Sequence, residues 1–180
     1  MSSPIRLYRD TDAPAWDAYV RRHPQGTFAH LNRWKRIFEE ALGHQANYLI
    51  AEPPDAPGTI QGVFPLFAVK SLLFGRSMVS MPFLTYGGIL ADDDTIRDVL
   101  YQEAIRLTVA EKLDYLEIRN EKDPLDGLPV KDLYYVFKRE ISSDDDENLK
   151  AIPRKSRRMV RQGIKKGLTA RFGHVDLLDP

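Results

Sequence analysis

Apolar residues along this chain recur at two spacings, and each spacing predicts its own kind of element. Ile5 and Leu7 alternate with polar neighbours and predict a short first strand. Asp12 then stands as an N-cap, with Pro14 in the first turn of a helix that runs to Arg22 and is stopped by His23-Pro24-Gln25-Gly26. Leu31, Trp34, Ile37, Phe38 and Ala41 return at helical spacing. They predict a second helix over 31–42 with that stripe inward, Trp34 in the core, and Gly43 as the stop.

Runs rich in β-formers follow at 47–51 and 60–69, separated by the Pro- and Gly-rich 52–58, and a third lies at 77–81. The simplest arrangement is a three-stranded antiparallel meander. Asp92-Asp93-Asp94 offer caps and favourable charge to a helix over 95–111, with Ile96, Val99, Leu100, Ala104 and Leu107 inward. Further strands are expected at 115–119 and 134–140, joined by a loop containing Pro124, Gly127 and Pro129. The fold class expected from this order is α/β (α+β): a mixed, mainly antiparallel sheet flanked by helices.

Charge changes the picture beyond residue 144. Asp144 to Glu147 cap a helix starting near Asn148, and Pro153 either kinks it or opens a second one. From Lys150 to Arg171 there are nine basic residues and no acidic one; the chain balances 26 against 26, so the remainder holds 17 basic and 26 acidic residues. Leu149, Ile152, Met159, Val160 and Ile164 are expected inward. Arg157, Arg161 and Lys165 form an outward row at four-residue spacing, with Arg154 and Arg158 beside it. The planar fork of arginine suits bidentate phosphate or carboxylate recognition. Phe172 is the segment's only ring, so base stacking is not expected, whereas an RNA backbone, a pyrophosphate or an acidic protein surface would meet the charge. An ordinary solvated cationic face is the open alternative.

Composition narrows the chemistry. With 180 residues, 43% of them hydrophobic, the chain can bury a real core, and the lack of cysteine excludes disulfides, thiolate zinc sites and cysteine nucleophiles. Residues 1–12 hold no apolar leader segment, and the longest apolar run, 63–69, is far below the roughly 18 residues of a membrane span, so a cytoplasmic protein is expected. His23, His30, His44 and His174 are dispersed without ligand spacing, and no metal site is expected. Leu72-Leu73-Phe74 stand at a hairpin tip, where they pack beneath the sheet or meet a partner, a further domain or, peripherally, a membrane surface.

The segments 62–67, 70–76, Ser80-Met81-Pro82-Phe83 and Tyr86-Gly87-Gly88, together with Arg154-Lys155-Ser156-Arg157-Arg158, Arg161, Lys165 and Gly167-Leu168, resemble the N-terminal portion of FemAB-related proteins. The nearest subgroup is the one associated with exosortase and PEP-CTERM sorting. The resemblance spans roughly 27–172 and implies a GNAT-like first domain over 1–145, a basic linking helix over 146–167 and the start of a truncated second GNAT-like domain over 168–180. It implies an aminoacyl or acyl transferase acting on a cell-wall or exopolysaccharide-related amine acceptor, inactive without the second domain. Under it Tyr86, Gly87 and Gly88 line the substrate cleft, and Arg157, Arg161 and Lys165 meet a phosphate-bearing acceptor or aminoacyl-tRNA. A tight turn requiring positive φ is the other reading of Tyr86-Gly87-Gly88. The glycine-rich turn with which acetyl-CoA-dependent relatives grip a pyrophosphate is absent from the sequence, so no acyl-CoA cofactor is expected. No spacing marks a nucleophile with its base, and no catalytic residue is assigned. The competing class is a noncatalytic module whose basic helix binds RNA or an acidic partner.

Overall fold

The computed structural model describes residues 5–71, 75–121, 125, 127–131 and 135–173. The chain divides into two compact units, Met1–Val130 and Lys131–Pro180.

In the first unit the strands are β1 (Ile5–Leu7), β2 (Gln45–Ala46), β3 (Leu49–Ala51), β4 (Gly62–Phe64), β5 (Leu66–Ser71), β6 (Gly75–Ser80), β7 (Leu90–Ala91) and β8 (Tyr115–Glu117). The helices are α1 (Ala13–Arg22), α2 (Arg33–Leu42) and α3 (Asp94–Ala110), with short 3-10 turns at Asp10–Asp12 and Phe28–His30. Strands order as β1-β3-β4-β7 and β2-β5-β6-β8, all pairs being antiparallel except β6 with β8. This is the mixed, mainly antiparallel α+β architecture flanked by helices that the sequence pattern predicts.

The expected meander is corrected in one respect. The run 60–69 is not one strand, because Pro65 has no N–H to give the ladder and divides it into β4 and β5. The partner run breaks opposite it, into β2 and β3. Both ladders nevertheless keep one register: Leu49 faces Phe64 and Ala46 faces Phe67, and the N–H of Asn47 donates to the Leu66 carbonyl at 2.7 Å between them. One long hairpin, creased at Tyr48 and Pro65, therefore carries both sheets.

Alternation along this hairpin sorts side chains to two faces. Tyr48, Ile50, Val63 and Phe67 join Trp16, Tyr19, Val20 and Phe38 from α1 and α2 in one core cluster. Leu49, Ala51, Phe64, Leu66 and Ala68 join Ile96, Leu100 and Ala104 from α3 in another. Helices cover both faces, which is why these strands read as unbroken apolar runs. Trp16 stacks on Tyr48 at 4.9 Å, and its Nε1–H donates to the His30 carbonyl at 2.7 Å.

Details differ at the helix ends. Asp12 precedes α1 but does not cap it; its carboxylate instead accepts from the Arg9 N–H and from Arg6, both at 2.7 Å. Arg6 also pairs with Glu52, so β1, β3 and the start of α1 meet at one guanidinium. On α2 only Phe38 is buried: Trp34 and Leu31 pack partly against the core, while Ile37 and Ala41, expected inward, are exposed because a ten-residue helix on the sheet's rim covers little of it. Of the α3 stripe expected inward, Ile96, Leu100 and Ala104 are buried, while Val99 and Leu107 are half-buried.

The second unit contains α4 (Asp145–Ala151) and α5 (Arg154–Lys165). Asp144 caps α4 by accepting from the N–H groups of Asp146 and Glu147, and Pro153 opens α5 as a second helix. The strand expected over 134–140 is not formed among the described residues: Tyr134 lies outside them, and 135–140 pair with no strand, leaving Tyr135 and Phe137 exposed. Apolar alternation gives strand propensity, but a strand also needs a neighbouring edge, and this unit contains none among its described residues.

Candidate functional site

Two places concentrate the sequence-predicted residues, one in each unit. The first is the excursion 81–89, inserted between β6 and β7, which pair side by side with β5 and β4. Its backbone departs from ordinary conformations three times in seven residues, with φ of 47° at Met81, 67° at Phe83 and 148° at Gly87. Left-handed backbone at bulky residues costs of order 1–3 kcal/mol each and persists only where the surroundings enforce it.

Those surroundings are visible. The Gly87 N–H donates to the Arg119 carbonyl at 3.1 Å, the Arg119 N–H donates to the buried Ser80 Oγ at 2.8 Å, and the Arg119 guanidinium donates to the Leu84 carbonyl at 2.7 Å. The exit of β8 is thereby laced to the excursion. Gly87 and Gly88 are buried, and Tyr86 is half-buried. A Cβ at Gly87 would run into the Met81 side chain, and one at Gly88 into Asn120. Close approach and positive φ thus both demand glycine at 87, and close approach demands it at 88.

His30 supports the same loop from the α1–α2 connection. It is 4% exposed; its Nδ1 lies 3.0 Å from Thr27 Oγ1 and accepts from the Thr27 N–H, and the ring also hydrogen-bonds the Gly88 backbone. Burial, with a smaller contribution from His23, holds its pKa down to about 4, so the ring is neutral at pH 7. In the sequence Ser80 stands only within the segment Ser80-Met81-Pro82-Phe83, His30 only as one of four dispersed histidines, and Arg119 is unmarked; only the fold brings 30, 80, 87 and 119 to one place.

The remaining histidines, Trp34 and the hairpin tip make structural contacts or lie outside the described residues. His23 meets the Ala91 carbonyl at 3.1 Å, and His44 stacks on Phe83. Trp34 donates Nε1–H to the Phe28 carbonyl at 2.9 Å. Leu72, Leu73, Phe74 and His174 fall outside the described residues. The strand-to-helix turn before α3, where a helix N-terminus could hold an anion, is filled by carboxylates. Asp93 accepts from the Ile96 N–H at 2.8 Å, and Asp92 accepts from the Tyr19 hydroxyl at 3.0 Å.

The second place is α5. Arg157, Arg161 and Lys165 come together with Arg154, Arg158 and Gln162 along one open concavity of about 450 Å³. Asp and Glu are absent from this lining. Arg157 is the most enclosed: its Nη2–H donates weakly to the Ile152 carbonyl at 3.4 Å, and its Nε is buried without an acceptor among the described residues. A buried guanidinium N–H without an acceptor is costly. The expected inward stripe is corrected. Leu149 and Ile152 are half-buried, but Met159, Val160 and Ile164 are exposed, because no described residue of this small unit covers that side of α5.

No helix of the described residues is long and apolar enough to cross a membrane. No family model and no curated protein matches the chain. Among solved structures, a transcriptional regulator from Bacillus halodurans C-125 is similar at a TM-score of 0.50 and 14% identity, over 77% of this chain and 99% of that one. A GNAT family acetyltransferase from Staphylococcus aureus is similar at a TM-score of 0.48 and 12% identity, over 78% and 100%. At such identities a likeness speaks to fold alone, and the fold shared with the first of these structures is the helix-flanked α+β sheet described above.

Proposed function

We propose that this chain is the N-terminal, GNAT-like portion of a FemAB-type aminoacyl or acyl transferase, whose α5 groove binds the phosphates of an amine-bearing cell-wall or exopolysaccharide precursor. The observation that carries the reading is the acid-free groove of Arg154, Arg157, Arg158, Arg161 and Lys165. The excursion 81–89, strained at Met81 and Phe83 and closely packed at Gly87 and Gly88, supports a role for Tyr86, Gly87 and Gly88 in lining the substrate cleft, since strain of this kind gathers at functional loops. In the reaction, the acceptor nitrogen attacks the carbonyl carbon of an activated acyl ester. The C–N bond forms, the C–O bond breaks, and the ester oxygen leaves with the proton the amine gives up. Positioning and electrostatic stabilisation would supply the rate, without a covalent enzyme intermediate.

Calorimetry with inorganic pyrophosphate tests the groove. Arg157→Ala combined with Arg161→Ala should weaken binding at least tenfold, and an unchanged affinity would sink the assignment. A noncatalytic module that docks RNA is the second reading, favoured by the groove's linear form along one helix. It predicts a steep loss of RNA affinity with salt and no sequence preference.

A further inference from the structure

The cations of α5 do not occupy the whole helix. At about 100° per residue, its six cations, Arg154, Lys155, Arg157, Arg158, Arg161 and Lys165, spread over an arc of roughly 160°, and Met159, Val160 and Ile164 lie in the remaining arc, which holds no charged residue of the helix. These three are 66%, 45% and 69% exposed. The helix ends in a Schellman turn: Gly167 has φ 72°, its N–H donates to the Ile164 carbonyl, and the Leu168 N–H donates to the Gly163 carbonyl at 3.1 Å. Leu168, 74% exposed, is thereby folded back toward Gly163 and lengthens the apolar stripe.

We propose that α5 is an interfacial helix that lies on an anionic lipid bilayer, with Met159, Val160, Ile164 and Leu168 at the headgroup boundary and the cations that border this arc, Lys155, Arg157 and Lys166, against the lipid phosphates. Charge complementarity selects this occupant. The nine cations between Lys150 and Arg171 face no acid of their own segment, and none of the ion pairs among the described residues involves α5. A nucleic-acid backbone would satisfy the cations and leave the apolar stripe wet. A bilayer surface satisfies both, which is the combination a basic amphipathic helix offers. The stripe lies off the groove lining, so the inference does not depend on the acceptor reading.

Vesicle flotation of the full chain tests it. The chain should float with phosphatidylcholine–phosphatidylglycerol vesicles and not with phosphatidylcholine alone, since each cation near an anionic surface strengthens binding about fivefold. Met159→Ser combined with Ile164→Ser should weaken vesicle binding at least tenfold, with the far-UV circular dichroism and the pyrophosphate affinity unchanged. In a second variant, Ile164→Trp, the added indole emission should shift to the blue when anionic vesicles are added. Equal vesicle binding by parent and serine variant would overturn the proposal, leaving a purely electrostatic contact. So would a parent that ignores vesicles and self-associates in ultracentrifugation until the serine substitutions separate it, which would make the stripe a protein interface. Pyrophosphate calorimetry on the same preparations reads the groove separately, so failure of one assignment is distinguishable from failure of the other.

Discussion

Protonating His30 should loosen the first unit, and the size of the effect follows from its surroundings. The folded ring has a pKa of about 4, held down chiefly by burial, against about 6.5 in an unfolded chain. As pH falls, the unfolded chain therefore takes up the proton first. The stability contributed by the neutral buried ring is complete above about pH 6.5 and is lost as pH falls toward 4. At about 1.4 kcal/mol per pKa unit, the loss is roughly 3 kcal/mol, a large share of the 5–15 kcal/mol typical of a domain. With a urea dependence of about 2 kcal/mol per molar, the unfolding midpoint should fall by about 1.5 M.

Tryptophan fluorescence is a direct assay, because Trp16 is buried in this unit and bonded to the His30 carbonyl. His30→Gln keeps a donor and an acceptor without a titrating ring, so its midpoint should be nearly flat from pH 6.5 to 4.5. The Arg6-paired carboxylates Asp12 and Glu52, whose pKa values are lowered by that guanidinium, lose their stabilisation only at lower pH. Parallel curves for parent and His30→Gln across this window would refute the reasoning.

Two further outcomes follow from the same unit. Gly88→Ala should cost about 1–3 kcal/mol in urea unfolding, since its Cβ would meet Asn120 side-chain and backbone atoms and neither yields easily. Asp93→Ala should cost about 1 kcal/mol by the same measurement, through loss of the cap on the Ile96 N–H.

Helix positions were largely legible in the sequence because their signals are local. Pro14 at the start of α1, Gly43 in a left-handed turn after α2 and the aspartates before α3 each act within one turn of chain. The outward row of α5 was legible for the same reason, since four-residue spacing on a helix fixes a shared side. What failed was non-local. Among the described residues, 135–140 pair with no strand, and Met159, Val160 and Ile164 are left exposed; no local pattern reveals either. His30, Ser80 and Arg119 converge on Gly87 and Gly88 through contacts across long stretches of chain, so no window of sequence could have grouped them.

The crease at Pro65 bears on which changes of length this chain can absorb. Because one register runs through both ladders, a residue inserted between Ala46 and Leu49, or between Phe64 and Leu66, would send every apolar side chain beyond it to the opposite face. The same insertion in the loop 53–59, mostly exposed and far from either ladder's crease, would shift nothing in the core. Two segments that look equally like interruptions in a strand pattern thus differ completely: one is a place where the chain can grow, and the other is a fixed joint.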